Sequence, residues 1–354
     1  MRRFNLALWT RMSLNRSHVV LATGMALSAL FLWIALRDVN LQELGASLRQ
    51  TELLWALPFI ASLGAFCWFK SWRWALLLSP AKVARTRELF GPVIVGYMGT
   101  GLMPMQLGEV ARAYLAARSL RIRIAPVMSS LIVERVFDVL ALLAVLGIVS
   151  ITSGGFAPRY RAAGAALIAV AVIALLALWF YATHTARLIQ FARVCTNILP
   201  SGLQGRILEQ LEVGALGAQA VRRPTMYLQL SVVTLLQWSC MYACTWISLK
   251  AVGLSLPAVA SGVVLATTIL SMTLPSGPGY IGTLQLAYVL ALSPFGVSSS
   301  DAITASVFYL VMLWAPLVAG GALLLVRMGL SLGELKREQQ ALHPDASASS
   351  SPRH

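Results

Sequence analysis

The chain has 354 residues, 58% of them apolar and 12% charged, with a mean hydropathy of +0.75, whereas soluble domains average about 25% charged residues. Half the usual charge cannot cover a water-exposed surface, which excludes a soluble enzyme, and four scattered cysteines (Cys67, Cys195, Cys240, Cys244) exclude a disulfide-stapled secreted domain. The net charge of +15 sits in short basic clusters between apolar runs, a distribution that suits an anionic membrane face and not nucleic acid.

In chain order, a basic N-terminus (1–18, with Arg2, Arg3, Arg11 and Arg16) precedes an apolar run at 19–36. That run is longer than the apolar core of a cleaved signal peptide and ends in Arg37-Asp38, so an uncleaved first span is expected. Further runs at 53–78, 124–152, 162–182, 225–250 and 302–326 are each long enough to cross a hydrocarbon core of about 30 Å, giving about six full spans. Residues 88–119 and 257–293 are also apolar, but each is broken near its middle, by Met103-Pro104-Met105-Gln106-Leu107-Gly108 and by Pro275-Ser276-Gly277-Pro278-Gly279. Proline removes a helix donor and glycine lets the chain reverse. The expected fold is therefore all-α and polytopic, with two re-entrant helical hairpins.

The charge distribution fits that arrangement. With both regions as hairpins, the clusters at 2–16, 70–87, 112–123, 187–223 and 327–353 share the cytoplasmic side and hold 22 of the 28 Lys and Arg residues. Both termini are then cytoplasmic. The hairpins also share a pattern, Pro-x3-Gly-x4-Ala-Tyr-x2-Ala-x-Ser, read from Pro104 and from Pro278. Entering from opposite faces, they define an inverted repeat with halves at about 53–152 and 225–327, the layout of many secondary transporters. Between the halves, 183–223 reads as a cytoplasmic linker with an amphipathic helix, and the polar tail at 329–354 reads as disordered.

Charge inside the apolar runs marks the candidate site. Glu134, Arg135 and Asp138 fall near the middle of the 124–152 run and share one helix flank. Glu109 and Arg112 follow the first hairpin break, beside Gly108. Three carboxylates against two arginines leave a net −1 and predict two ion pairs with one carboxylate over, an arrangement suited to a proton or cation, while the arginines could hold a phosphate. The same five residues could instead pin the hairpin against the span. Near the second break, Gln285, Tyr309, Gly279 and Gly282 are the uncharged counterparts, where free backbone groups could bind a polar headgroup. Trp72 and Trp74 around Arg73 read as an interfacial anchor. No metal site is expected, because the four histidines all lie outside the apolar runs.

Pro104-x3-Gly-Glu-Val-x-Arg-Ala-Tyr-Leu, Glu134-Arg-Val-Phe-Asp138, Pro275-x2-Pro-Gly-x2-Gly and Arg73-Trp74 together resemble the lysylphosphatidylglycerol-synthase transmembrane (flippase-like) family over roughly residues 20–328. That family includes the membrane half of the bacterial multiple peptide resistance factor. The resemblance implies an integral flippase-like domain at 19–328 without the synthase domain, and thus a lipid flippase and not an enzyme, with no cofactor. It implies a bacterial inner-membrane location and a substrate among phospholipids, aminoacyl-phospholipids, polyprenyl-phosphates or hopanoid-type lipids. Candidate protein partners are a lipid-biosynthetic enzyme, a glycosyltransferase or a second copy of the chain; the alternative function is a non-catalytic scaffold for such an enzyme. The family usually carries Glu where Gln285 stands and commonly Arg where Tyr309 stands, so the resemblance leaves the headgroup open.

Overall fold

The computed structural model describes residues 25–37, 39, 41–102, 107–152, 158–195, 219–274 and 276–327. The basic N-terminus, the first hairpin break at 103–106, Pro275, most of the linker (196–218) and the polar tail lie outside the described residues. All regular structure among the described residues is helical. The helices are α1 (Met25–Leu36), α2 (Leu41–Gln50), α3 (Ala56–Leu78), α4 (Thr86–Leu102), α5 (Leu107–Leu120) and α6 (Ile124–Thr152). They continue as α7 (Pro158–Cys195), α8 (Pro224–Ala251), α9 (Ala258–Met272), α10 (Thr283–Leu292) and α11 (Ser299–Arg327).

Four stretches are long and apolar enough to cross a membrane: Leu53–Leu78, Ala162–Arg193, Pro224–Ala251 and Ser299–Arg327. Each coincides with an expected span. A fifth expected span, α6, is a single helix of 29 residues interrupted by charge at Glu134, Arg135 and Asp138. Only 12 residues of the first expected span are described, as α1. The span expected at 162–182 continues to Cys195, bending at His184, so the helix extends into the region read as linker. The amphipathic α2 was not expected; it packs on α11, where the Ser47 hydroxyl donates to Asp301 at 2.7 Å.

The two broken regions fold as helical hairpins, α4–α5 and α9–α10. At 10 to 17 residues, each limb reaches only about 15–26 Å, short of the roughly 30 Å of hydrocarbon. The first hairpin closes tightly because Gly96 and Gly99 face Gly108 across it. A side chain at Gly108 would collide with the Gly96 carbonyl and the Thr100 amide, which is why glycine stands there. Gly282, which starts α10, has φ of +91°, and a side chain there would strike the carbonyl of Ser28 on α1.

Packing repeats between the halves. α3 lies on α4 and α6, and α8 lies on α9 and α11; α5 meets α6 as α10 meets α11; α4 meets α11 as α9 meets α6. α3 and α8 form the centre and run antiparallel: Ser62 donates to the Cys240 carbonyl, the Cys244 thiol points at the Phe59 carbonyl, and Arg73 reaches Thr234. An apolar core around Phe59, Tyr288 and Tyr309 fills the second half. A second core around Trp74, Leu89 and Val127 fills the first.

Candidate functional site

Where α3 crosses α6, charge is concentrated inside the protein. Lys70 and Arg73 lie three residues apart on α3, and Glu134 and Asp138 lie four apart on α6, so both pairs face one interface. Lys70 Nζ sits 2.6 Å from Glu134 Oε1 and 3.5 Å from Asp138 Oδ2. Arg73 holds Asp138 Oδ1 at 2.7 Å, and from α5 Arg112 holds Glu134 Oε2 at 3.0 Å. Arg112 also stacks its guanidinium 4.6 Å from the ring centre of Trp74. Arg73 is fully buried, Glu134 is 3% exposed, and Lys70 and Arg112 are each 6% exposed, so water screens none of these charges appreciably.

Arg135 points elsewhere. It follows Glu134 by one residue, which on a helix turns it about 100° away, and it pairs with Glu109 on α5. This pair is much more open than the others, the side chains being 54% and 33% exposed. The expected shared flank for Glu134, Arg135 and Asp138 is thus corrected: Glu134 and Asp138 face α3, while Arg135 faces the hairpin. No carboxylate is left over either. Lys70 and Arg73 add two cations, so three carboxylates face four cations and the balance becomes +1 instead of −1.

Lys70 and Arg73 were missed as site residues because they fall near the end of an apolar run and count there as part of a cytoplasmic cluster. The deciding signal was their spacing of three on the face opposite two acidic residues. Trp74, read as an interfacial anchor, is completely buried and donates its indole N–H to Ser130 at 2.9 Å; Trp72 is the exposed member of the pair.

Beside the charges lies a cavity of about 280 Å3. Lys70, Gly108, Glu109, Arg112, Arg135 and Asp138 line it from the first half. Gln237, Trp238, Thr268, Tyr309 and Trp314 line it from the second. Tyr309 is among the lining residues, fully buried and with a hydroxyl that meets no partner among the described residues. Gln285 does not line it: its side-chain oxygen accepts the Gly282 N–H at 2.6 Å and caps α10. Gly279 and Gly282 shape the second turn without lining the cavity, Gly279 by offering its carbonyl to the Trp314 indole at 3.2 Å.

Glu134 and Tyr309 occupy equivalent places, each the eleventh residue of its helix, and Asp138 is matched in the same way by Leu313. One half therefore carries the charge and the other answers with neutral groups. The buried charges include the motif residues Arg112 and Glu134, with Asp138 and the more open Glu109 beside them. The family model for the lysylphosphatidylglycerol synthase TM region matches residues 21–321. The chain belongs to that family. No curated protein and no solved structure matches it. Family membership and the long apolar helices make this an all-α membrane protein with a lipid-related role.

Proposed function

We propose that this member of the lysylphosphatidylglycerol synthase TM family is a bacterial inner-membrane flippase that moves a polar-headgroup lipid between leaflets. The observation that carries this reading is the set of seven charged side chains gathered beside a cavity walled by both halves. Charge placed at membrane depth is costly unless it serves a polar cargo or a partner, and here it borders space that could admit one. The headgroup enters the cavity while its acyl chains stay in the bilayer. Arg112 and Arg135 contact the phosphate; Glu109 releases Arg135 as cargo arrives, whereas Glu134 and Asp138 keep Lys70, Arg73 and Arg112 fixed.

Alternating access follows from an inverted repeat in which α4–α5 and α9–α10 are re-entrant hairpins entering from opposite faces and both termini are cytoplasmic. Two features support it: the antiparallel α3–α8 pair at the centre and the matched neighbours of every other helix in the two halves. The test is transport by the purified protein in liposomes, read as movement of labelled phospholipid between leaflets. Movement abolished by Arg135→Ala is the expected result. A protein that moves no lipid, yet supports a lipid-modifying enzyme in cells, is the scaffold instead.

A further inference from the structure

The bend in α7 builds a second recess, which shares no lining residue with the cavity between the halves. At His184 the helix leaves helical geometry, with φ of −114° and ψ of 22°. A short 3-10 turn, Gln219–Arg222, packs beside that bend. Ala220 and Val221 of the turn are buried with Ala182 of α7 in a core that also holds Val133 and Phe137 of α6. With those residues turned inward, Gln219 and Arg222 are left outside, beside Thr183, His184, Thr185 and Arg187. The recess they line holds about 530 Å3, within the range of ligand pockets, about 300–1,000 Å3.

Charge decides what such a recess can accept. Arg187 and Arg222 line it and no carboxylate does. Lys70, Arg73, Arg112 and Arg135 are each held by a carboxylate. By contrast, Arg187 and Arg222 are exposed, and neither pairs with a carboxylate among the described residues. Thr183 and Thr185 spend their hydroxyl protons on carbonyls one turn back in α7, at 2.9 and 2.7 Å. The uncommitted donors are therefore two guanidiniums and the Gln219 amide, a set suited to the oxygens of a phosphate.

The surface leading to the recess is apolar. Ile173, Leu176, Phe180, His184 and Arg187 are spaced three, four, four and three residues apart and so follow one face of α7. The first three are exposed, and α7 has the least buried apolar stretch of the four candidate spans, at 11%. From Ile173 to Phe180 the stripe runs about 10 Å. An acyl chain lying along it brings its headgroup to His184 and Arg187. A soluble phosphate ester would use the recess and leave the stripe bare.

We infer that the recess between α7 and the 219–222 turn binds the phosphate of an anionic phospholipid whose acyl chain lies on Ile173, Leu176 and Phe180. This lipid is a resident of the protein's outer surface and not the cargo, so the inference stands or falls separately from transport. Arg187 and Arg222 hold the phosphate, and Gln219 adds a neutral donor.

The test places a bimane fluorophore beside the stripe, through Ala177→Cys in the full chain with Cys195 and Cys240 replaced by serine. Ala177 is small and exposed, so the probe displaces no packed side chain. In detergent–lipid micelles, phosphatidylglycerol with brominated acyl chains should quench it at a mole fraction at least about fivefold lower than brominated phosphatidylcholine. One arginine near an anionic lipid surface is worth about that factor. Replacing both, as Arg187→Gln with Arg222→Gln, should erase the difference while leaving the melting temperature close to the parent's, since both side chains are exposed. Equal quenching by the two lipids in the parent overturns the inference, as does a difference that survives the double replacement. Arg118→Gln, at an exposed arginine near the end of α5, should change nothing; loss of the difference there would mean diffuse surface charge and no built site. Inorganic phosphate at the concentration of the lipid should not relieve quenching by phosphatidylglycerol, and full relief overturns the lipid assignment in favour of a soluble phosphate compound.

Discussion

Glu134 and Arg135 are neighbours in sequence and opposites in environment, and that difference separates a residue that holds the protein together from one free to act. Glu134 receives Lys70 at 2.6 Å and Arg112 at 3.0 Å and is almost wholly buried. Removing its charge leaves Lys70 and Arg73 to share Asp138 and Arg112 without its ion-pair partner. Breaking a buried pair from one side costs about 3–5 kcal/mol, so Glu134→Gln should unfold the protein at markedly lower temperature in detergent, whatever its effect on transport. Arg135 is more than half exposed and has the single partner Glu109. Arg135→Gln should change stability by no more than about 1 kcal/mol and still stop lipid movement in liposomes. A thermal melt beside a transport assay reads both. Equal destabilisation by the two variants would mean that the Glu109–Arg135 pair is structural. The three carboxylates and two arginines were legible in the sequence because charge within an apolar run is conspicuous. Gln237, Trp238 and Thr268 were not, since neutral polar residues are common in membrane helices and only packing reveals which of them lack a partner.

Among the elements, the first hairpin depends on a backbone approach that allows no side chain. Gly108 meets the Gly96 carbonyl and the Thr100 amide across the α4–α5 contact, both of them backbone groups that cannot swing aside. Gly108→Ala should therefore pry the hairpin open, costing about 1–3 kcal/mol as overpacking does, and should displace Arg112, one turn further along α5. Gly64, in the middle of α3 with nothing within 4 Å of an added Cβ, is the control. Gly64→Ala should be neutral or should stabilise by roughly 0.5–1 kcal/mol, because alanine favours helix. Thermal melts of the two variants decide the matter, and equal melting temperatures would mean that the tight closure contributes nothing. The breaks between α4 and α5 and between α9 and α10 were legible, since proline and glycine in the middle of an apolar run interrupt a helix. α2 was not, because a ten-residue amphipathic helix produces no apolar run and is defined by its packing on α11. The closeness of the Gly108 contact was likewise invisible before α4 and α5 were placed side by side.

At the scale of the molecule, the proposed inverted repeat makes a demand that neither half makes alone: the outer ends of the two helix pairs must lie on opposite sides of the bilayer. Ser119, at the end of α5, and Ser298, just before α11, are both exposed and mark those ends. A cysteine at Ser119 should react with a membrane-impermeant maleimide only from the cytoplasmic side, and one at Ser298 only from the opposite side. The native thiols of Cys67 and Cys244 are buried and should stay silent, whereas Cys240, partly exposed, and Cys195 are first replaced by serine. Labelling of both sites from one side would break the inverted topology. The antiparallel α3–α8 pair would then be a simple bundle contact, and the rocking of one half against the other, on which the proposed lipid transport depends, would lose its structural basis.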